Sequence, residues 1–247
     1  FMRKITNCTI HILILIFFVS QNIFADIFYV GQSGLPTGNY FTSIQSAVNV
    51  AADGDSVIVS NGTYTLNSQI YNHSTVISGF TITNGYTGGH NGGGVQCSGT
   101  IPLINNCIIV GNSVKGDNGS GFGGAVIYGT VNNCMIFKNF AGYGGAICAS
   151  IANNCAIYEN TAYYGGATYE AVANNCTITR NTANLRAGAS MRGTIRNSIV
   201  YYNEAPVNPN RQDGTYSYCC TTTDSISGTG NLRECDFRFT FGYDKCR

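Results

Sequence analysis

Short runs of alternating apolar and polar residues recur along the middle of the chain. Three segments align without gaps at a period of 21 residues and begin at Gly121, Gly142 and Tyr163. A further segment from Leu185 follows with one extra residue, and one from Gly92 fits the same frame with a longer loop after it. Self-similarity at a fixed period of this length is the signature of a repeat architecture.

Each repeat contains columns of small or aliphatic residues separated by polar positions. β-Branched residues occupy one column, namely Ile109, Ile136, Ile157, Ile178 and Val200. Two positions earlier stands a column of Cys107, Cys134, Cys155 and Cys176, continued by Ser198. Alanine occupies a third column, namely Ala125, Ala146, Ala167 and Ala189. The period of two predicts short strands with one face inward, and the Gly and Asn residues between them predict turns.

The length of the repeat selects the fold class. A unit of 21 residues with two or three short strands is too short for a propeller blade, and it lacks the helix of a βα repeat. Identical strands stacked on each other predict an all-β fold, a right-handed parallel β-helix with coils about 4.8 Å apart. Residues 43–52 read as a short amphipathic helix, which we expect to cap the N-terminal end of the solenoid.

Asparagine forms two further columns at the turns. One comprises Asn106, Asn133, Asn154, Asn175 and Asn197. The other comprises Asn112, Asn139, Asn160, Asn181 and Asn203. Asparagine tolerates left-handed backbone geometry, and its amide can donate to one neighbouring coil while accepting from the other. We therefore interpret both columns as structural ladders rather than as ligand sites.

The N-terminus carries the features of a secretory signal peptide. A basic pair at 3–4 precedes an apolar run at 10–19, and a small residue, Ala25, precedes Asp26. The apolar run is too short to span a bilayer. We divide the chain into a signal peptide (1–25), an N-terminal cap and first coil (26–77), repeat coils (78–205) and an irregular C-terminal segment (206–247). That last segment is either a truncated end or a short cap, and the mature chain is expected to be exported without a transmembrane helix.

Composition and charge limit the classes of binding partner that the sequence predicts. The 247 residues carry a net charge of +1, and only 10% are charged, while glycine supplies 31. This balance gives no electrostatic reason to expect nucleic acid or an anionic membrane as partner.

Two stretches resemble known families. SIQSAVNVAADGDSVIVSNGTYTL (43–66) followed by SGFTITNG (78–85) resembles the opening of bacterial pectin-lyase-like right-handed β-helix proteins. The GGAI unit at 144–147 is similar to repeats of bacterial polymorphic outer-membrane proteins, although Ile157 stands where those repeats carry an aromatic residue. The resemblance implies the hand of the fold and a secreted or outer-membrane location. It does not select a function, because such solenoids serve as lyases, hydrolases, epimerases and adhesins.

Two groups of cysteines are expected to behave differently. The inward column is predicted to be a reduced core stack, because stacked neighbours have poor disulfide geometry and the column lacks the paired ligands of a zinc site. No metal or other cofactor is therefore predicted there. In an exported chain the disulfide candidates are those outside the repeat, whose pairing is left open: Cys219, Cys220, Cys235 and Cys246.

Acidic residues are scarce on the repeat. Those between residues 60 and 203 are Asp117, Glu159 and Glu170. The alignment places Glu159 between Lys138 and Arg180, and Glu170 beside Arg192, on adjacent coils. Such pairs predict solvated surface charges worth ~0.2–1 kcal/mol rather than a catalytic pair.

Two sets of residues remain as candidates for function. Enlarged turns carry His90, Lys115 and Asp117, which are the catalytic candidates. Outward tyrosines that could stack on sugar rings are the binding candidates, namely Tyr158, Tyr201 and Tyr202.

The first hypothesis is an exported, non-catalytic β-helix that is adhesin-like or binds a polysaccharide or cell-surface glycan. The alternative is a polysaccharide lyase or related carbohydrate-active enzyme. It follows from the fold resemblance and would use Asp117, Lys115 or Arg180, with Ca²⁺ bound against an acidic sugar.

Overall fold

Short parallel strands dominate the computed structural model, which describes residues 26–31, 38–51, 56–59, 63–65, 76–79, 81–88, 91–97, 103–116, 119–222 and 228–233. The predicted signal peptide, His90, Asp117, Cys235 and Cys246 lie outside these ranges.

The described residues form one helix and a long series of strands. The helix is α1 (Ile44–Val50). The strands up to residue 97 are β1 (Ile27–Val30), β2 (Tyr40–Phe41), β3 (Ser56–Val59), β4 (Thr63–Thr65), β5 (Val76–Ser78), β6 (Thr81–Thr83), β7 (Tyr86–Thr87) and β8 (Val95–Gln96). Those from 103 to 164 are β9 (Leu103–Asn105), β10 (Ile108–Val110), β11 (Ser113–Val114), β12 (Val126–Ile127), β13 (Thr130–Asn132), β14 (Met135–Phe137), β15 (Phe140–Tyr143), β16 (Ile147–Cys148), β17 (Ile151–Asn153), β18 (Ala156–Tyr158) and β19 (Thr161–Tyr164). The rest are β20 (Thr168–Tyr169), β21 (Val172–Asn174), β22 (Thr177–Thr179), β23 (Thr182–Arg186), β24 (Ser190–Arg196), β25 (Ile199–Tyr201), β26 (Arg211–Ser217), β27 (Cys220–Thr221) and β28 (Leu232–Arg233).

The strands stack into three parallel sheets. Sheet A runs in the order β2-β1-β3-β5-β9-β13-β17-β21-β24-β20-β16-β12-β8, with β26 beside β24. Sheet B runs in the order β28-β27-β25-β22-β18-β14-β10-β6-β4, and sheet C in the order β23-β19-β15-β11-β7. Neighbours in each sheet come from successive turns of the chain, so the fold is a parallel β-helix, consistent with the predicted right-handed form. Strands β26, β27 and β28 continue the stack beyond residue 205.

The predicted apolar columns form the interior. Ile109, Ile136, Ile157, Ile178 and Val200 pair in unbroken register along sheet B, and each is fully buried. The alanine column is equally buried. Because the strands of sheet B bury every second side chain, every coil contributes one layer to a continuous core and one row to the surface.

The Gly-Gly-Ala element makes the tight corner between sheets C and A. Gly144 takes a φ of +64°, a conformation that L side chains rarely adopt. A Cβ on Gly145 would collide with the carbonyl oxygens of Gly166 and Thr161 on the next coil. Ala146 then returns the chain to the core, where it is fully buried. The first glycine is thus needed for its backbone angle, and the second for close approach.

The predicted N-terminal helix is present and packs on the first strands. The Ser43 hydroxyl accepts a hydrogen bond from the Ser46 backbone N–H at 3.4 Å, which caps α1. Ala47 is fully buried and belongs to the same core cluster as Val30 and Val57.

The inward asparagine column forms the ladder that the sequence predicts. The amide nitrogen of Asn139 donates to Asn160 Oδ1, and that of Asn160 donates to Asn181 Oδ1, both at 3.0 Å. Asn112 and Asn203 extend the same chain of bonds, and all five residues are buried.

The second asparagine column contributes to the turns through the backbone conformation of its members. Its members take left-handed φ angles between 49° and 55°. The amide-to-amide bonds on this side mostly join the preceding residues, since Asn153 donates to Asn132 at 2.8 Å and Asn174 donates to Asn153 at 2.9 Å. The sequence therefore predicts the turn correctly. The side-chain amides that bond to each other, however, belong to the residues one position before the predicted column.

The cysteine column is buried and reduced, and it satisfies the backbone at its turn. The N–H of Cys134 donates to the sulfur of Cys155 at 3.5 Å, and the N–H of Cys176 donates to the Ser198 hydroxyl at 3.0 Å. The prediction for Cys219 is wrong: it is a buried free thiol that continues this column opposite Ser198. Cys220 is disulfide-bonded, as expected for a cysteine outside the inward column.

Candidate functional site

A pocket of about 360 Å³ opens beside the loop that follows β11. Its lining includes Lys115, Gly119, Ser120, Phe140, Gly142 and Tyr163. This volume lies at the lower end of the range for small-molecule sites. The pocket therefore has the size of a small ligand or of one unit of a polymer.

Two aromatic rings from adjacent coils form its apolar wall. Phe140 begins β15 and Tyr163 lies in β19, and their ring centroids are 6.1 Å apart with the planes at 72°. This edge-to-face arrangement leaves both rings partly exposed.

Glycines allow the backbone at Gly119 to lie close to this wall. A Cβ on Gly142 would collide with the backbone oxygen of Gly119, so the loop backbone lies directly against β15. A Cβ on Gly119 would lie only 3.0 Å from the Tyr163 ring. Gly119 thus lies against the sheet at contacts that a larger residue at position 119 or 142 would disrupt.

Lys115 brings a positive charge to the pocket. Its backbone N–H donates to the Thr87 carbonyl at 3.1 Å, which holds the residue to the neighbouring coil, while its side chain is exposed. Of the three residues predicted on the enlarged turns, Lys115 is therefore placed at a pocket. His90 and Asp117 lie outside the described residues, so their proximity to Lys115 stays a prediction.

The predicted tyrosines lie elsewhere, on the outer face of sheet B. Tyr158 and Tyr201 occupy one column, with Thr179 on the coil between them. Tyr201 packs edge-to-face on Tyr202, with the ring centroids 5.5 Å apart. Tyr202 is 68% exposed and has a φ of +53°. The structure thus brings these three residues onto one surface, apart from the pocket lining.

The glutamates form the surface ion pairs that the repeat alignment predicts. Glu159 lies 3.9 Å from Lys138, and Glu170 lies 3.4 Å from Arg192, with all four side chains exposed to solvent. At this exposure each pair is weak, because water screens the charges.

A second aromatic surface was not recognised in the sequence. Phe122, Tyr143 and Tyr164 stack with centroids 5.0 Å apart, and the edge of Tyr169 packs against Tyr143. They cover a separate cluster of buried residues that includes Ile127 and Met191. The signal was present, since the three stacked rings recur at the repeat period.

Arginine 192 borders this second surface. Its Nη1 donates to the Tyr169 hydroxyl at 3.0 Å, and its guanidinium lies 5.9 Å from the ring centroid. Burial, followed by the nearby Glu170 carboxylate, raises the pKa of Tyr169 above its usual value.

The described part of the chain offers neither a metal site nor a membrane-spanning helix. It contains no group of three or more His, Cys, Asp or Glu side chains arranged to hold a metal ion. Nor does any helix there have the length and hydropathy to cross a membrane.

Comparison with known proteins gives one distant match. No protein-family model matches the chain, and no curated protein matches it either. Among solved structures, the chain is similar to the crystal structure of pectate lyase Pel9A, with 15% identity and a TM-score of 0.41. The alignment covers 83% of this chain and 66% of that one, so this chain spans less than two thirds of the matched structure.

Proposed function

We propose that the protein is an exported, non-catalytic β-helix that binds glycans through its outer surface, in the manner of an adhesin. The observation that carries the proposal is the pocket of about 360 Å³ in which Phe140 and Tyr163 stand beside Lys115 and Ser120. Partly exposed rings complement the C–H faces of a sugar. The Lys115 ammonium and the Ser120 hydroxyl complement the polar groups around the edge of the sugar ring. Export rests on the signal-peptide features of residues 1–25.

The state of the glutamates supports a binding role over catalysis. A general acid or base is usually tuned by burial or by a neighbouring like charge. Glu159 and Glu170 are instead exposed and close to basic partners. Exposed carboxylates beside basic side chains are typical of a solvated surface.

The second candidate is a polysaccharide lyase, favoured by one observation: Lys115 lines the pocket. In that reaction Lys115 would remove a proton from the sugar ring, with Asp117 helping to hold Ca²⁺ against an acidic substrate. The two candidates differ in what happens to the polymer after binding.

A glycan array combined with a depolymerisation screen, with and without Ca²⁺, tests both candidates. We expect retention of at least one glycan class without new chain ends. Tyr163→Ala and Lys115→Ala should weaken that binding, whereas Lys138→Ala, a lysine outside the pocket lining, should not. Ca²⁺-dependent release of unsaturated products would establish the lyase instead. Absence of binding to every glycan would refute the proposed function.

A further inference from the structure

The aromatic column on the outer face of sheet B is interrupted at one coil. Register places Phe137, Tyr158, Thr179 and Tyr201 in succession along the solenoid. The rings of Phe137 and Tyr158 stack with centroids 4.8 Å apart and planes within 6°. A small threonine then stands where the next ring would be. The column therefore has tyrosine on both sides of a single gap.

The dimensions of this gap match one ring. Tyr158 and Tyr201 are separated by two coil spacings, ~9.6 Å. A ring inserted above Thr179 would lie ~4.8 Å from each side, which is a favourable separation for stacked rings. Phe137 and Tyr158 already adopt this separation within the protein.

Charged residues lie along one side of the column that contains the gap. Glu159 and Arg180 follow Tyr158 and Thr179 directly, and both are exposed with φ angles of +54°. Left-handed geometry is unfavourable for these residue types, and here it places their charged side chains beside the column. Glu159 lies 3.9 Å from Lys138 on the coil away from the gap, so Arg180 is the charged residue next to Thr179. Thr179, which is partly exposed, lies at the base. A ligand that fits has apolar faces and a rim of hydrogen-bonding groups, which describes a saccharide ring.

We propose that Tyr158, Thr179 and Tyr201 form a slot that binds a single saccharide ring between the two tyrosines, with Arg180 at its edge. The inference rests on the proposed glycan binding and adds a subsite separate from the Lys115 pocket.

Filling the slot tests the inference without removing a contact. Thr179→Tyr completes the aromatic column and occupies the space of the ligand. Val110→Tyr is the matched control, because Val110 lies in the same column on the far side of Phe137. Both variants add a ring next to an existing ring, so both should unfold at or above the wild-type midpoint. Soluble cello- and xylo-oligosaccharides are titrated by calorimetry and by tyrosine fluorescence, since the chain has no tryptophan.

We expect Thr179→Tyr to weaken oligosaccharide binding by about tenfold or more, and Val110→Tyr to leave it unchanged. Tyr158→Ala should also weaken binding, and it supplies the test if Thr179→Tyr does not fold. Wild-type affinity in a folded Thr179→Tyr protein would overturn the slot. In that case loss of binding in Lys115→Ala would still support the pocket and the proposed function. If wild-type protein binds none of these sugars or of the array glycans, both proposals fail.

Discussion

Replacing Asn160 with alanine is the most direct test of what holds the solenoid together. The side chain is fully buried, and its amide nitrogen donates to the carbonyls of Ile136 and Tyr158 at 2.9 and 3.0 Å. It also donates to Asn181 Oδ1 at 3.0 Å. The Asn160 oxygen accepts from the backbone N–H and the side-chain amide of Asn139, at 3.1 and 3.0 Å.

Asn160→Ala removes all of these bonds at once. The Asn139 N–H is left buried without this acceptor, which costs about 1–3 kcal/mol. The carbonyls of Ile136 and Tyr158 each lose a donor, at about 0.5–1.5 kcal/mol apiece. Water cannot replace the amide in a closed layer without rearrangement of the coil. We therefore expect the free energy of unfolding to fall by about 3–5 kcal/mol.

Urea denaturation followed by circular dichroism measures this loss. Asn174→Ala is the matched control, because Asn174 is partly exposed and donates to Asn153 Oδ1 at 2.9 Å. Its removal should cost less than about 1 kcal/mol. If the two substitutions destabilise the protein equally, the inward ladder does not carry the stability that the hydrogen bonds imply.

Three further predictions concern the turns and the buried thiols. Cys155→Ser should unfold near the wild-type midpoint, whereas Cys155→Ala removes the acceptor of the Cys134 N–H and should cost about 1 kcal/mol more in urea titrations; equal midpoints would contradict this role. Gly145→Ala should destabilise the fold by more than about 2 kcal/mol, because its Cβ meets backbone oxygens, and an unchanged melting temperature would show that the corner can relax. Burial raises the pKa of Cys97 from 9.0 to about 12. The unfolded thiol ionises first, so its contribution to stability is full below pH 9.0 and is lost as the pH rises toward 12. Mild alkylation at neutral pH should label this thiol only after unfolding.

The fold was largely predictable because the repeat places equivalent residues at equivalent heights. The register along sheet B pairs Ile136 with Ile157 and Ile157 with Ile178, as the 21-residue alignment implied. Errors arose where the repeat spacing changes. The sequence pattern places Cys219 outside the repeat, yet β26 pairs with β24 in register and brings Cys219 into the inward column.

The candidate sites were only partly predictable, because they depend on contacts between coils rather than on residue type. Lys115 was a candidate by virtue of its enlarged turn. The pocket itself depends on the absence of a Cβ at Gly119 and Gly142, which the repeat pattern does not reveal. Tyr158 and Tyr201 were recognised as outward rings, but their separation by Thr179 becomes meaningful only when the register fixes the spacing.

Inward and outward columns of this solenoid carry different kinds of information. The inward column of sheet B hardly varies from coil to coil, since each member must fit the layer above and below it, as Ile136, Ile157 and Ile178 do. Outward positions are free to change, because a side chain facing solvent is constrained mainly by its two neighbours in the column. A change of residue in an outward column, such as Thr179 between Tyr158 and Tyr201, therefore alters the surface without altering the coil. In a fold built this way, we expect ligand binding to be determined by such interruptions, and it is at these positions that substitutions should separate function from stability.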